Sequence, residues 1–242
     1  LEKEGFYPEP QSLNISRYDF EVCDIVDEIW KRVDAAGVDP DKITIEITES
    51  VIGNDLVIIN RQIEKFQNLG FPVWMDDFGS GYSSLNVLQS IKFNLIKFDM
   101  IFMTKLDEGV NGKIILTEMM KLATSLGVDT ICEGVETEEQ VRFLQEIGCS
   151  KMQGYYFCKP IPLEMILERY KEGRQIGFEN PEESTYFETI SRVNLFDLSL
   201  LAHKDEDENI FQNYFNTIPM AIMEIKENES RIVRSNQSYR DF

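Results

Sequence analysis

Val73-Trp-Met-Asp-Asp-Phe-Gly-Ser-Gly-Tyr-Ser-Ser-Leu85 decides how the rest of the chain is read. An apolar run delivers two adjacent carboxylates, Asp76 and Asp77, into a glycine-spaced loop, and a helix start follows at Ser83 or Ser84. Parallel α/β folds present acids in this way, at the carboxyl ends of strands. Gly79 and Gly81 permit backbone angles that other residues avoid, so the loop can turn sharply or move. In isolation the stretch could equally be a solvated turn or a helix cap. The neighbouring segments bear on that choice.

Upstream, Lys42-Ile-Thr-Ile-Glu-Ile-Thr-Glu49 alternates: Ile43, Ile45 and Ile47 take one face, Thr44, Glu46 and Thr48 the other. This fits an ordinary half-solvated sheet, or a barrel strand with its isoleucines under helices and Glu46 inside the mouth. Before it, residues 13–16 form a short strand and 19–36 one helix stopped by Gly37. Residues 55–69 are amphipathic and end at Gly70, ahead of a strand over 71–76. Downstream, Asn94-Leu-Ile-Lys-Phe-Asp99 puts Leu95, Lys97 and Asp99 on one face. A strand-end lysine is commonly solvated, but among acids it can hold a phosphate or a bound water. A helix over 113–126 precedes Val128-Asp-Thr-Ile-Cys-Glu133, another strand ending in an acid. Thr137 and Gln140 have capping-box spacing for the next helix, which Gly148 stops. Residues 151–157 read as the last strand and 163–173 as the last helix of the series.

Strand and helix thus alternate about seven times, in lengths suited to parallel crossovers. Polar groups recur where strands end: Asn14, Glu46, Glu49, Asp76, Asp77, Lys97, Glu133 and Gln153. In a barrel all those ends share one face, and solvation does not explain several strands doing this together.

Composition narrows the chemistry. A net charge of -19 argues against binding a nucleic acid polymer through its phosphates. It leaves room for a small phosphorylated ligand, because bound cations invert a local field. There is a single histidine, His203, in an acidic stretch; a zinc site usually needs His or Cys ligands and a Ser-His-Asp triad needs a His, so metal chemistry here is expected to rely on oxygen ligands, which suit Mg²⁺, Mn²⁺ or Ca²⁺. Four scattered cysteines without C-x-x-C spacing suit reduced thiols and a cytoplasmic location. No apolar run reaches membrane-spanning length. The start at Leu1 reads as a piece of a longer chain.

Six motifs, Asn14-Ile-Ser16, Glu46-Ile-Thr-Glu-Ser50, Asp76-Asp-Phe-Gly-Ser-Gly-Tyr-Ser-Ser-Leu85, Ile96-Lys-Phe-Asp99, Glu133-Gly-Val-Glu-Thr137 and Gln153-Gly-Tyr-Tyr-Phe157, stand in the order and spacing of EAL domains. The chain resembles this family over roughly residues 12–173. The resemblance implies a modified (β/α)₈, TIM-like barrel that commonly dimerises and cuts cyclic di-GMP to linear pGpG. It implies that Asn14, Glu46 and Asp76 hold one Mg²⁺ or Mn²⁺ and that Asp77 serves a second. Lys97 would contact the reacting water or phosphate, and Glu133 would be the general base. Glu49 would anchor the loop of Phe78, Gly79, Ser80, Gly81, Tyr82 and Ser83. Gln153 would line the site, and Glu136 matches a motif acid of less defined role. Two hard cations suit such a reaction because they offset the phosphodiester's charge and make water nucleophilic.

One departure stands out. The Glu-Ala-Leu segment that names the family, and supplies another metal ligand, has no counterpart here. The expectation is an incomplete barrel lacking its first strand–helix unit, and a fragment with little or no activity of its own. The alternative is a receptor that binds cyclic di-GMP without cutting it. The expected organisation is an EAL domain over 1–177, an acidic helical linker over 178–209 and, over 210–242, a segment resembling the start of a PAS domain. A parent with PAS and cyclase-type (GGDEF) modules would follow.

Overall fold

The computed structural model describes residues 10–52, 56–79, 84–107, 110–172, 190, 193–195, 219–226 and 229–242. Six parallel strands form one sheet: β1 (Gln11–Ile15), β2 (Ile43–Thr48), β3 (Val73–Phe78), β4 (Leu95–Phe98), β5 (Asp129–Cys132) and β6 (Lys151–Met152). Their order in the sheet is their order in the chain. A doubly wound sheet reverses direction at a switch point, whereas a barrel adds each strand beside the last. The architecture is therefore the α/β, TIM-like kind that the resemblance implies, and among the described residues the sheet is open, with β1 and β6 at its edges.

The crossovers carry α1 (Arg17–Val22), α2 (Ile25–Ala36), α3 (Glu49–Ile52), α4 (Leu56–Asn68), α5 (Ser84–Ser90), α6 (Ile101–Asp107), α7 (Val110–Leu126) and α8 (Glu138–Ile147); α9 (Leu163–Lys171) follows β6. One face of the sheet is sealed by them. Ile45 and Ile47 of β2, Val73 and Met75 of β3, and Ile63 and Phe66 of α4 are fully buried together. Trp30, Phe71 and Phe66 stack edge to face between α2, α4 and the start of β3. Such pairs add to the burial of their large apolar surface.

Several elements differ from the sequence reading. The single helix over 19–36 is two, because Asp24 breaks out of helical geometry and its side chain accepts from the Asp27 amide at 3.4 Å, capping α2. Asp19, read as the start of that helix, instead completes a capping box with Ser16 at the head of α1. α6 has no counterpart in the sequence pattern; Asp99 initiates it by accepting from the Ile101 amide at 2.7 Å. The strand expected over 71–76 runs two residues later, carrying Asp77 and Phe78 inside it. The strand expected over 151–157 stops at Met152. There Gly154 lies against the backbone of Val135, and the Phe157 and Cys158 amides fold back onto the Gly154 carbonyl. Gly37 and Gly148 close α2 and α8 in left-handed conformation, as read.

The linker assigned to 178–209 lies outside the described residues except at 190 and 193–195. Beyond it an antiparallel hairpin pairs β7 (Ala221–Lys226) with β8 (Glu229–Ser235), and one helical turn, α10 (Gln237–Arg240), follows.

Candidate metal centre

Parallel strands share a polarity, so their carboxyl ends meet at one rim. β2 delivers Glu46, which faces Asn14 of β1 in the strand register. β3 delivers Asp76, opposite Thr48 of β2. β4 delivers Lys97, and the chain leaving β5 delivers Glu133.

Adjacent strand residues normally point to opposite faces, so Asp76 and Asp77 should diverge. They do not, because Asp77 has φ 54, left-handed for a non-glycine residue, and the β3–β4 register shifts between Met75 and Phe78. Aspartate tolerates this region better than most residues. The Asp77 amide donates to its neighbour's Oδ1 at 3.1 Å. As a result carboxylate oxygens of Asp76, Asp77 and Glu133 all lie within 4.8 Å of one another.

Lys97 sits among them. Its Nζ donates to Glu133 Oε1 at 2.8 Å and Asp76 Oδ1 at 2.9 Å, with Glu46 Oε2 at 3.4 Å. Its side chain is only 9% exposed. Burial alone would lower the lysine pKa, but hydrogen bonds to Glu133 and Asp76, and their charges, outweigh it and hold the pKa well above the ordinary value. Asp77 moves up instead: burial comes first, then the charges of Asp76, Asp99 and Glu133, with Lys97 opposing them. Asp99 thus adds to the negative field of the cluster, a contribution absent from the sequence reading of its role.

Gly79, the first residue after β3, is held from α3. Glu49, buried at the start of α3, accepts from the Gly79 amide at 3.4 Å. A Cβ on Gly79 would come 2.4 Å from the Phe102 ring. Phe78, read as part of the loop, is instead core: it is 1% exposed and stands edge to face on Phe98, which stacks likewise on Phe102. Ser80, Gly81, Tyr82 and Ser83 lie outside the described residues.

The remaining positions sit at the margin. Asn14 and Gln153 are exposed. Gln153 is fixed through its backbone, donating to the Cys132 carbonyl at 2.9 Å and accepting from the Val135 amide at 3.1 Å. Glu136 is also exposed; its amide, not its carboxylate, makes the short contact, to Gln140 Oε1 at 2.8 Å.

The donor set decides which ion fits. Three carboxylates in mutual reach, a fourth across Lys97 and an amide beside it are hard oxygen donors. They match Mg²⁺, Mn²⁺ or Ca²⁺ and offer nothing to a thiophilic metal.

A singly wound parallel sheet with an oxygen-donor cluster at its carboxyl rim defines an α/β-barrel-type domain with a candidate divalent-cation centre. The chain belongs to the EAL domain family, whose model matches residues 2–160. Among solved structures, a complex of the PaMucR phosphodiesterase with c-di-GMP is 30% identical, with a TM-score of 0.61 over 64% of this chain and 63% of that one. BlrP1 of Klebsiella pneumoniae, with manganese and cyclic di-GMP, is 27% identical, with a TM-score of 0.58 over 62% of this chain and 38% of that one. The bifunctional diguanylate cyclase/cyclic di-GMP phosphodiesterase MucR of Pseudomonas aeruginosa is 30% identical over 156 residues, 64% of this chain. The chain spans only 23% of that relative's length. The match to the family says nothing of the PAS-like reading of the tail, since it ends at residue 160.

Proposed function

We propose that this chain carries the site of a divalent-metal-dependent phosphodiesterase that hydrolyses cyclic di-GMP to linear pGpG. The observation that carries the reading is the convergence of Glu46, Asp76 and Glu133 on one buried lysine. Family membership and the cyclic di-GMP and manganese named for its structural neighbours support it.

In this reading Asn14, Glu46, Asp76 and Asp77 would hold Mg²⁺ or Mn²⁺. Bound there, such ions would offset the phosphodiester's charge and raise the acidity of water. Glu133 takes the proton of the attacking water, as a carboxylate within reach of the reacting group can. Lys97 keeps a fixed positive charge beside it, placed to stabilise the added negative charge of the transition state. Glu49 anchors Gly79, where the motif loop begins, by accepting from its amide. Gln153 and Glu136 border the site.

The sequence contains no Glu-Ala-Leu segment, so the 242-residue chain by itself is proposed to turn over little substrate. Binding is therefore the first test. Calorimetry with cyclic di-GMP and Ca²⁺ or Mn²⁺ should show binding that EDTA and Asp76→Asn abolish. Equal affinity in EDTA would refute the metal-dependent site. A variant with an added N-terminal strand carrying Glu-Ala-Leu should then release pGpG, and Glu133→Gln should stop it. Binding without release would favour a receptor. A homodimer, a cytoplasmic location, and PAS and GGDEF modules in a parent protein belong to the same proposal. No helix among the described residues is long and apolar enough to cross a membrane.

A further inference from the structure

α8 ends in a feature that its own domain does not explain. Glu146 lies in the last helical turn, where the helix dipole disfavours an acid, and it is 7% exposed. A buried carboxylate needs a partner. That partner is Arg240, 94 residues away at the end of α10, whose guanidinium forms a hydrogen-bonded ion pair with Glu146 Oε1.

The tail is built to present this arginine. Asn236, 1% exposed, accepts from the Met220 amide at 2.9 Å and the Tyr239 amide at 3.0 Å, locking α10 onto the root of the hairpin. Gln237 Oε1, at 2.9 Å, and the Ser235 carbonyl fix the guanidinium from behind. Residues 190 and 195 add two backbone contacts. The buried Leu195 donates its amide to the Glu146 carbonyl at 2.7 Å, and Arg234 of β8 donates to the Ile190 carbonyl.

α8 is flanked by the two segments that border the candidate centre. At its head, Gln140 Oε1 accepts from the Glu136 and Thr137 amides, holding the loop that begins at Glu133. At its foot, Cys149 donates to the Leu144 carbonyl and leads into β6 and Gln153. The two flanks are bonded to each other through Val135 and Gln153.

We propose that the C-terminal hairpin is a regulatory docking element, whose seating on the last turn of α8 through Arg240 and Glu146 sets the order of segments 133–137 and 149–153. The inference rests on these contacts and not on the phosphodiesterase reading. A signal that lifts the hairpin would loosen Glu133 and Gln153 without touching either.

Amide hydrogen exchange on the full chain tests this. Arg240→Ala and Glu146→Gln should each speed exchange at the foot of α8 and at the Val135, Thr137 and Gln153 amides. The expected change is about tenfold or more, because Arg240→Ala strands a mostly buried carboxylate and Glu146→Gln leaves Arg240 without its counter-charge. Arg240→Lys should restore part of the protection, and α4 should exchange at wild-type rates. Acceleration confined to residues 190–240, wild-type rates throughout, or equal acceleration in α4 would each overturn the proposal.

Discussion

Lys97→Met removes one side chain and leaves at least three carboxylates facing each other. At 2.8 and 2.9 Å, the Glu133 and Asp76 contacts are each worth roughly 6 kcal/mol of gross attraction at an effective dielectric of about 20. The Glu46 contact at 3.4 Å adds about 5 kcal/mol. Desolvation of the ammonium cancels most of this sum. Breaking buried ion pairs of this kind costs about 3–5 kcal/mol net, because the abandoned charges stay buried. For a chain of this size that lowers Tm by roughly 6–20 °C. The lysine's raised pKa means that this contribution is complete at neutral pH and is lost only as pH rises past the unfolded value, near 10.4, and through the higher folded one. The variant should therefore be unstable in EDTA across pH 6–9. Mn²⁺ should narrow the gap, because a divalent ion then supplies the missing charge and meets no ammonium. Urea unfolding in EDTA and in Mn²⁺ measures both effects. A variant within about 1 kcal/mol of wild type in EDTA, or a gap indifferent to Mn²⁺, would refute the electrostatic account.

Other predictions follow from particular contacts. Gly154→Ala would place a Cβ 2.1 Å from the Val135 carbonyl oxygen, so it should destabilise well beyond the roughly 1 kcal/mol expected for Gly127→Ala, where the left-handed backbone is strained but space is open; denaturant midpoints compare them. Gln140→Ala strips the acceptor from the Glu136 and Thr137 amides and should cost about 1–2 kcal/mol, with loss of helical signal from α8 on heating. The Ser16 hydroxyl and amide hold the Asp19 carboxyl below the usual aspartate range. Its capping contribution is therefore complete above the unfolded value near 3.9 and fades as pH falls through the lower folded value. Carbon-detected titration should show the depressed midpoint, and Ser16→Ala should raise it.

Much of the site was legible because period-two alternation and polar strand ends are local signals. Glu46 among three isoleucines and Lys97 between Ile96 and Phe98 announce their faces in the sequence itself. The glycine stops and the Thr137–Gln140 cap are local in the same sense. What failed was nonlocal or was masked by a continuing pattern. The apolar spacing of α2 runs on through α1, so the Asp24 break left no gap to notice. Asp99 looked like a strand-end acid and served also as the cap of α6. The aromatic run after Gln153 imitates a strand, but Gly154 turns it, because only a residue without a side chain fits against Val135. The left-handed turn at Asp77 depends on a register shift against β4, and nothing within residues 73–78 signals it.

The acids gathered around Lys97 should take up a divalent cation. Titrating the full chain with Mn²⁺, read by electron paramagnetic resonance of the free ion, addresses this directly. Binding is expected, weakened severely by Asp76→Asn and by Asp77→Asn and left intact by Glu138→Gln on the exposed face of α8. Uptake of Mn²⁺ unaffected by Asp76→Asn and Asp77→Asn, or no uptake at all, would contradict it.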